Sequence, residues 1–173
     1  TVIPPQPNEG LERVAEVPFL RKADLVACVS QELVDEVLRH GVSPYRTIVT
    51  PNGVDTSVMK PLSEAERLEL RRKLGVEDRF VVTWVGSFRS FHALDLVVDA
   101  VRALPGAEQA VLLLVGDGEE RHKIEARAWA LGVKAIFPGL VSQADVVRLL
   151  GASDAAVLPV RDHEDFHYSP VKL

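Results

Sequence analysis

The sequence has very little cysteine, since Cys28 is the only one in 173 residues. A single cysteine excludes an intrachain disulfide framework and any metal site built from several cysteines. This usage is typical of a reducing compartment, so we expect a cytoplasmic protein. Because Cys28 lies in a predicted strand, we expect its side chain in the core.

Long apolar runs are also lacking. The longest unbroken one, Ala110 to Val115, is far shorter than the ~20 residues that cross a bilayer. Thr1 to Gly10 does not have the basic-then-apolar order of a signal peptide, and its prolines predict an irregular lead-in. We therefore expect no inserted segment, and any peripheral membrane association would depend on parts of the protein outside this sequence.

Both ends of the sequence resemble cut edges. It starts at Thr1 without an initiator Met and stops at Leu173, within an apolar run. Its 173 residues suffice for one well-buried core but rarely for two complete α/β domains. We therefore expect a chain that is truncated at both ends.

Positive charge is not in excess either. The formal net charge is −5, and acidic and basic residues are interleaved, so the sequence lacks the broad basic surface that binds nucleic acid. Nucleic acid is therefore not an expected partner. Apolar residues make up 47% of the chain and charged residues 26%, which is the ordinary composition of a globular protein with a real core.

What the sequence does contain is a repeated alternation of short apolar runs and helical stretches. The predicted strands are rich in β-branched and apolar residues, and they are Leu25 to Val29, Thr47 to Thr50, Phe80 to Val85, Ala110 to Val115, Ala135 to Phe137 and Ala155 to Leu158. Several are apolar at every residue, as expected of parallel strands covered on both faces. The alternation predicts an α/β fold with a doubly wound, Rossmann-like parallel sheet, in which ligands bind at the carboxyl ends of strands.

The predicted helices have recognisable ends. Ser30, Ser63 and Ser142 are predicted N-caps, and Ser63 is followed three residues later by the Glu of a capping box. Gly41 and Gly75 are predicted to close two of these helices. Two further helices are predicted from apolar stripes, formed by Leu94, Val97, Val98 and Val101 and by Ile124, Ala128 and Leu131. Trp84 and Trp129 are predicted to be packing residues.

One segment interrupts the alternation. Pro51 to Asp55, followed by Lys60-Pro61, is rich in turn residues and lies between two series of strands and helices. A domain boundary is predicted there.

The loop after the predicted strand Phe80 to Val85 combines features that bind anions. Gly86 lets a ligand approach the backbone closely, and the following helix start offers unpaired N–H groups. Arg89 and His92 add cationic or hydrogen-bond-donating side chains. The loop is therefore a candidate diphosphate cradle, although an ordinary strand-to-helix turn with polar residues would show the same pattern.

A second loop, Gly116 to Glu119, also opens a predicted helix. It lacks the full G-x-G-x-x-G spacing, and no acidic residue follows at the expected place, so hydride transfer with a dinucleotide is not supported. The bare pattern also fits a tight turn.

A third loop follows Ala155 to Leu158 and is rich in acidic residues and histidine. Ser169-Pro170 then predicts a helix start at which an anion would bind. Charged surface loops are common, and we expect no metal site here. The side chains that could otherwise ligate a metal are His163, Glu164, Asp165 and His167.

Seven segments, in this order, match the sequence pattern of one enzyme family. They are Ala23 to Ser30, Ile48 to Asp55, Val85 to His92, Val115 to Gly118, Phe137 to Asp145, Ser153 to Pro159 and Ser169 to Leu173. The corresponding family patterns include "v.PNGVD", "GSFRPWHG", "vGdG" and "SPLKLFE". From about Leu11 onward, the sequence therefore resembles the retaining glycosyltransferases of the GT-B fold, specifically the GT4 group or glycosyl transferases group 1.

The resemblance implies a division of the chain and a class of substrate. Residues 1–50 would be a remnant of the N-terminal acceptor domain, 51–62 an interdomain linker, and 63–173 most of the C-terminal nucleotide-sugar-binding domain. The donor would be a nucleoside diphosphate sugar linked to UDP or GDP, with no metal or other cofactor. The acceptor, whether a saccharide, a lipid-linked molecule or a small molecule, is not identified. Because most of the acceptor domain is missing, the chain alone is expected to be inactive.

The resemblance also implies roles for individual residues. Arg89 would neutralise the departing diphosphate, on which negative charge grows as the sugar bond breaks. Leu140 and Val141 would meet the base. The residues implied to bind the donor are Gly86, Ser87, Phe88, Gly116, Gly118, Leu140, Val141, Ser169, Pro170, Val171 and Leu173. The residues implied to be catalytic are Arg89, His92 and Lys172.

The sequence departs from the family pattern at three charged positions. The usual Arg and Lys of the first donor loop fall near Ser87 and His92, so Arg89 and His92 would have to supply the positive charge. The first Glu of the family's paired-Glu motif falls near His167, and the second lies beyond Leu173. Two alternatives stay open. One is a sugar-nucleotide epimerase of GT-B fold, which also binds a nucleotide sugar, and the other, which these departures motivate, is a degenerate, non-catalytic nucleotide-sugar-binding module.

Overall fold

The computed structural model describes the backbone of residues 9–159 and the side chains of residues 16–159. The chain forms two compact units, which divide between Gly53 and Val54. The first contains α1 (Glu9–Lys22), β1 (Val26–Cys28), α2 (Gln31–Arg39) and β2 (Thr47–Val49). The second contains α3 (Glu64–Leu74), β3 (Phe80–Val85), α4 (Leu94–Ala103), β4 (Ala110–Val115), α5 (Arg121–Ala130), β5 (Ala135–Gly139), α6 (Gln143–Gly151) and β6 (Ala155–Ala156).

The first unit is built on a parallel pair of strands, β1 and β2, with Val26 opposite Thr47. Helix α2 packs Val34 and Val37 against this pair, and Cys28 is buried with them as predicted. Ser30 caps α2 by accepting a hydrogen bond from the Leu33 N–H, which confirms the predicted cap. The predicted irregular lead-in is wrong at its end, because α1 already begins at Glu9.

The second unit contains a four-stranded parallel sheet in the order β5-β4-β3-β6. Helices α4 and α5 contribute Val98 and Ile124 to a core on one face, around Trp84 and Leu112. Helix α6 contributes Leu149 to a core on the other face, around the alternate residues of β3 and β4. The doubly wound α/β fold predicted from the alternation is therefore confirmed.

Strand β4 lies between β3 and β5, and all six of its residues are buried. Burying a leucine side chain stabilises a fold by about 2 kcal/mol, and β4 places three consecutive leucines in the two cores. The register with β3 pairs Phe80 with Ala110 and Val85 with Val115, so both strands end at the same level. The loops that follow them therefore leave the sheet side by side.

The two tryptophans have different environments. Trp84 is 1% exposed, so the predicted packing role is confirmed. Trp129 is 86% exposed, and its predicted packing role is wrong. The buried face of α5 consists of Ile124 and Ala128, and the position after Ala128 points away from it.

Helix α3 has the predicted capping box and ends at Gly75. The Ser63 Oγ accepts from the Glu66 N–H, while the Glu66 carboxylate accepts from the Ser63 N–H at 2.9 Å. Gly75 adopts the left-handed conformation with φ of 67°, which favours glycine. Ser142 caps α6 in the same way as predicted, by accepting from the Asp145 N–H.

Candidate functional site

The loops after β3, β4 and β5 are joined at the carboxyl edge of the sheet by backbone hydrogen bonds. The Gly86 N–H donates to the Val115 carbonyl at 2.9 Å, and the Gly116 N–H donates to the Gly139 carbonyl at 2.9 Å. The Phe88 N–H donates to the Asp117 carbonyl at 2.9 Å. Parallel α/β sheets bind ligands at this edge. The structure therefore brings together the three segments in which the sequence places the phosphate-binding and base-binding residues.

Two glycines allow the loop after β4 to lie directly against the loop after β3. A Cβ at Gly116 would lie 1.8 Å from the Gly86 carbonyl oxygen, a distance at which no atom can be accommodated. A Cβ at Gly118 would lie 2.8 Å from both the N and the O of Phe88. Gly116 also has φ of 125° and Gly118 φ of 154°. Gly116 and Gly118, which are predicted to contact the donor, are thus needed for the close packing of the two loops, whether or not they also contact a ligand.

Phe88 fixes the first loop to the core. Its side chain is fully buried, with its ring 5.3 Å from the Trp84 ring in a T-shaped arrangement and 6.2 Å from the Phe137 ring. Its N–H is bonded to Asp117, and its carbonyl accepts from the Glu120 N–H at 3.0 Å. Both the side chain and the N–H of this predicted donor-binding residue are therefore engaged within the protein.

Arg89 differs from Phe88 because it is exposed on the same loop, as is Ser87. Among the residues that the structure describes, none forms a hydrogen bond or an ion pair with the Arg89 guanidinium. Its five N–H donors can therefore meet a ligand without breaking an internal bond. This is the side chain that the sequence assigns to the departing diphosphate.

His92, the second residue predicted to be catalytic, is 5% exposed. Its ring lies 4.3 Å from the Phe91 ring and 5.4 Å from the Trp84 ring, and its Nε2 is 3.5 Å from the Ser87 Oγ. The structure therefore brings His92 to the first loop but packs most of its ring against aromatic neighbours. Its catalytic role stays a prediction.

Ala93, which follows His92, was not singled out by the sequence analysis. It adopts φ of 49°, the left-handed conformation that is costly for a residue with a Cβ, and it precedes the first residue of α4. One signal pointed to it: the family pattern "GSFRPWHG" ends in glycine where this chain has alanine. The loop after β3 thus reaches its helix through a backbone conformation that favours glycine.

The loop after β5 begins with a turn at Gly139, whose φ is 81°. Leu140 is 82% exposed, whereas Val141 is partly buried against the core on the α6 face. Of the two residues predicted to meet the base, Leu140 is thus the one that presents its side chain to solvent.

Arg121, the first residue of α5, links the loop after β4 to strand β5 and was not predicted. Its Nε donates to the Glu125 carboxylate at 2.7 Å, and a terminal nitrogen donates to the Phe137 carbonyl at 3.3 Å. The other terminal nitrogen lies 3.6 Å from the Asp117 carboxylate. The hydrogen bond to Glu125, together with the charges of Glu125 and Asp117, raises the pKa of Arg121 above its ordinary value. The i,i+4 spacing of the two carboxylates from Arg121 was the sequence signal for this cluster.

Other predicted site residues lie outside the described part of the chain. These are Lys172, the segment Ser169 to Leu173 and the four side chains His163, Glu164, Asp165 and His167. Within residues 16–159, no three side chains of the metal-ligating types come together as a potential metal site. No helix among the described residues has the length and apolar character needed to cross a membrane.

Two curated proteins are similar to most of this chain. The alpha-D-kanosaminyltransferase of Streptomyces kanamyceticus is 24% identical over 161 residues, which cover 91% of this chain and 42% of that protein. The 2-deoxystreptamine N-acetyl-D-glucosaminyltransferase of Streptomyces fradiae is 30% identical over 164 residues, which cover 89% of this chain and 38% of that protein. The chain spans about two fifths of the length of these relatives.

Among solved structures, the crystal structure of Alr3699/HepE from Anabaena in complex with UDP is similar to this chain. The TM-score is 0.79 at 24% identity, over 92% of this chain and 44% of that one. This likeness shows that the two proteins share the Rossmann-like α/β fold of the GT-B glycosyltransferases.

Two family models match successive parts of the sequence. Residues 3–58 match the model described as Glycosyltransferase Family 4. Residues 66–170, about three fifths of the chain, match the model described as Glycosyl transferases group 1. The chain therefore belongs to the group 1 glycosyl transferases, as its motifs predict.

Proposed function

We propose that this chain is the donor-binding part of a glycosyltransferase. The enzyme would move a sugar from a nucleoside diphosphate sugar, linked to UDP or GDP, to an acceptor, with retention of the anomeric configuration and without a metal. Family membership supports the class of reaction, and the names of both curated relatives describe transfer of a sugar. The observation that carries the proposal is the exposed guanidinium of Arg89, which has no bonded partner among residues 16–159. It lies beside three joined loops at the carboxyl edge of the sheet.

The chemistry asked of this site is stabilisation of a leaving group. As the bond between the sugar and the diphosphate breaks, negative charge develops on the diphosphate oxygens. Arg89 can donate to those oxygens in a bidentate manner, and it does so from a loop that Phe88 anchors in the core. Donors held in place before the reaction favour the charged state, and losing one in related sites costs about 3 kcal/mol in activation free energy.

The first experiment measures nucleotide binding by isothermal titration calorimetry, with EDTA present. UDP is the first probe because the Anabaena structure contains it, followed by GDP and ADP. We expect the chain to bind UDP or GDP, and Arg89→Ala to weaken that binding by about tenfold or more. The matched control is Arg102→Ala. Arg102 is also exposed and has no bonded partner among the described residues, but it lies in the last turn of α4.

Each outcome distinguishes between the candidate functions. Binding that is lost with Arg89→Ala and kept with Arg102→Ala supports the proposal. If no nucleoside diphosphate binds the unchanged protein, the proposal is contradicted, and a degenerate module that keeps the fold but has lost donor binding is supported instead. Binding that appears only when a divalent metal replaces EDTA would contradict the metal-independent mechanism.

A second experiment separates transfer from epimerisation in the full-length protein. With a nucleotide sugar and no acceptor, an epimerase produces a second nucleotide sugar, whereas a transferase releases the nucleoside diphosphate only as sugar is transferred or hydrolysed. Nuclear magnetic resonance of the sugar released by hydrolysis, recorded before it mutarotates, then gives its anomeric configuration. A product with the donor's configuration supports retention, and the inverted product would contradict it.

A further inference from the structure

Arg121 contacts both the loop after β4 and strand β5. Its guanidinium lies between the Asp117 carboxylate, in the loop after β4, and the Phe137 carbonyl, near the end of β5. The side chain is 24% exposed, and Glu125 holds its Nε at 2.7 Å. The guanidinium carbon also lies 6.0 Å from the centre of the Phe137 ring. One side chain thus joins the loop after β4 to the end of β5.

The turn that follows β5 is held on two sides. The Gly116 N–H donates to the Gly139 carbonyl, and a Cβ built on Gly139 would lie 3.3 Å from a terminal nitrogen of Arg121. Leu140, which comes directly after this turn, is the exposed residue predicted to meet the base. Its position therefore depends on where the guanidinium holds the strand end.

We infer that Arg121 is a positioning residue that sets nucleotide-base selectivity by fixing the base-facing segment 137–141 relative to the loop at Asp117. The inference rests on the proposed function, because it assigns that segment to a base. Arg121 itself does not touch the donor. A displacement of about 1 Å in a supporting group is enough to degrade a binding site.

A purely structural role makes a different prediction. If Arg121 only stabilised the start of α5, its loss would weaken the fold and reduce the affinity for every nucleotide by the same factor. A positioning role acts on the base-facing segment alone. It therefore changes the ratio of affinities between bases more than the affinity for the diphosphate that they share.

The test compares dissociation constants for UDP, GDP and ADP, measured by isothermal titration calorimetry in the unchanged chain and in Arg121→Ala. We expect the ratio between the tightest and the weakest nucleotide to fall by about fivefold, the change that corresponds to one partly exposed ion pair. Arg121→Lys keeps the charge between both carboxylates and should restore part of the selectivity. It also keeps the test decisive if Arg121→Ala does not fold.

The matched control is Arg127→Ala on the same helix. Arg127 forms a two-pronged ion pair with Asp99, at 2.8 and 2.6 Å, so its loss removes the same charge from α5 without touching either loop. We expect it to keep the unchanged selectivity ratio. The inference is overturned if Arg121→Ala also keeps that ratio, or if it weakens all three nucleotides equally. If the unchanged chain binds none of them, the proposed function fails instead, and this inference fails with it.

Discussion

Glycine at position 116 decides how the loops after β3 and β4 fit together. A Cβ on Gly116 would point at the carbonyl oxygen of Gly86. The N–H of Gly86 is itself bonded to the Val115 carbonyl at the end of β4. The conflict is with backbone atoms, which cannot turn aside as the tip of a flexible side chain can. The close approach of these loops, and so the arrangement of the candidate phosphate-binding residues, depends on one absent methyl group.

We expect Gly116→Ala to lower the free energy of unfolding by about 3 kcal/mol, since the clash at 1.8 Å requires the backbone to move. The measurement is urea unfolding followed by circular dichroism. The matched control is Gly132→Ala, because Gly132 also has a positive φ, of 67°, but no atom lies within 4 Å of its added Cβ. That control should cost only about 1 kcal/mol of backbone strain. If Gly116→Ala and Gly132→Ala lowered the free energy of unfolding equally, contact between the two loops would not be the reason for glycine at position 116.

At this scale the sequence predicted residue types better than residue surroundings. Gly116 was identified as a loop glycine, but its partner atom belongs to a segment 30 residues away, and only the fold brings the two together. The packing role predicted for Trp129 was wrong, although the helical periodicity indicated an exposed position. Trp129 follows Ala128 and so lies off the buried stripe of α5. Arg121 had visible carboxylates at i−4 and i+4, yet its bond to Phe137 depends on the packing of α5 against β5.

Among the strands of residues 9–159, β6 is the shortest, and side chains contribute to holding it. Within these residues it pairs with β3, through two residues. The Asp154 carboxylate, just before it, accepts from the Val81 N–H at 2.7 Å and from Arg71 at 3.0 Å, and Arg67 binds its other oxygen at 2.6 Å. Arg71 is 4% exposed, so its charge is compensated inside the protein. This network fastens β6 to α3 and β3.

We expect Asp154→Asn to lower the free energy of unfolding by about 2 kcal/mol at pH 7, because Arg71 would keep a buried charge without its carboxylate. Partial burial opposes ionisation of Asp154, but the bonds from Val81 and Arg71 outweigh it and lower its pKa below the usual range. The carboxylate therefore stabilises the fold at all pH values above its unfolded pKa. That contribution is lost as the pH falls below about 4, through the lowered pKa.

The check is urea unfolding of both proteins from pH 7 to pH 3. The difference in free energy of unfolding between the unchanged protein and Asp154→Asn should shrink toward the acid end. Protons then bind the unfolded chain first and the folded protein only at lower pH, because its pKa is lowered. Asp99→Asn serves as the control, since the Asp99 pair with Arg127 is more exposed, and its loss should cost less. A difference that stays constant over the whole pH range would contradict the ionised role of Asp154.

Element boundaries show which physical signals a sequence carries. The bounds of β3 and β4 were predicted correctly because each is a six-residue run in the interior of the sheet, apolar throughout in β4 and apolar except for Thr83 in β3. For β5 and β6, the apolar pattern did not predict where the strands end. Strand β5 continues through Pro138 to Gly139. Proline is tolerated there because, among the described strands, β5 pairs only with β4. Strand β6 ends two residues before the predicted Leu158, since its length depends on how far β3 pairs with it.

At the scale of the whole molecule, the two units differ in the size of the sheet and of the core that their described residues form. The second unit has a four-stranded sheet with a core on each face. The core described in the first unit contains five buried side chains beside a two-stranded sheet. The alternation of strands and helices predicted both sheets, but the assignment of residues 1–50 and 63–173 to acceptor and donor domains remains a prediction.

This difference predicts unequal independent stability. Two-stranded sheets are marginal by themselves, and chains of about 50 residues bury too little apolar surface to be robust. We expect a chain that begins at Val54 to keep a cooperative urea transition, and a chain that ends at Gly53 to show none, when both are followed by far-ultraviolet circular dichroism. A cooperative transition in the chain that ends at Gly53 would show that its core extends beyond the described side chains.

The loss of unfolding free energy caused by Gly116→Ala should be the same in the shorter chain that begins at Val54, because the clash involves only atoms of the second unit. A loss that changes on shortening would show that the loops of the second unit depend on the first.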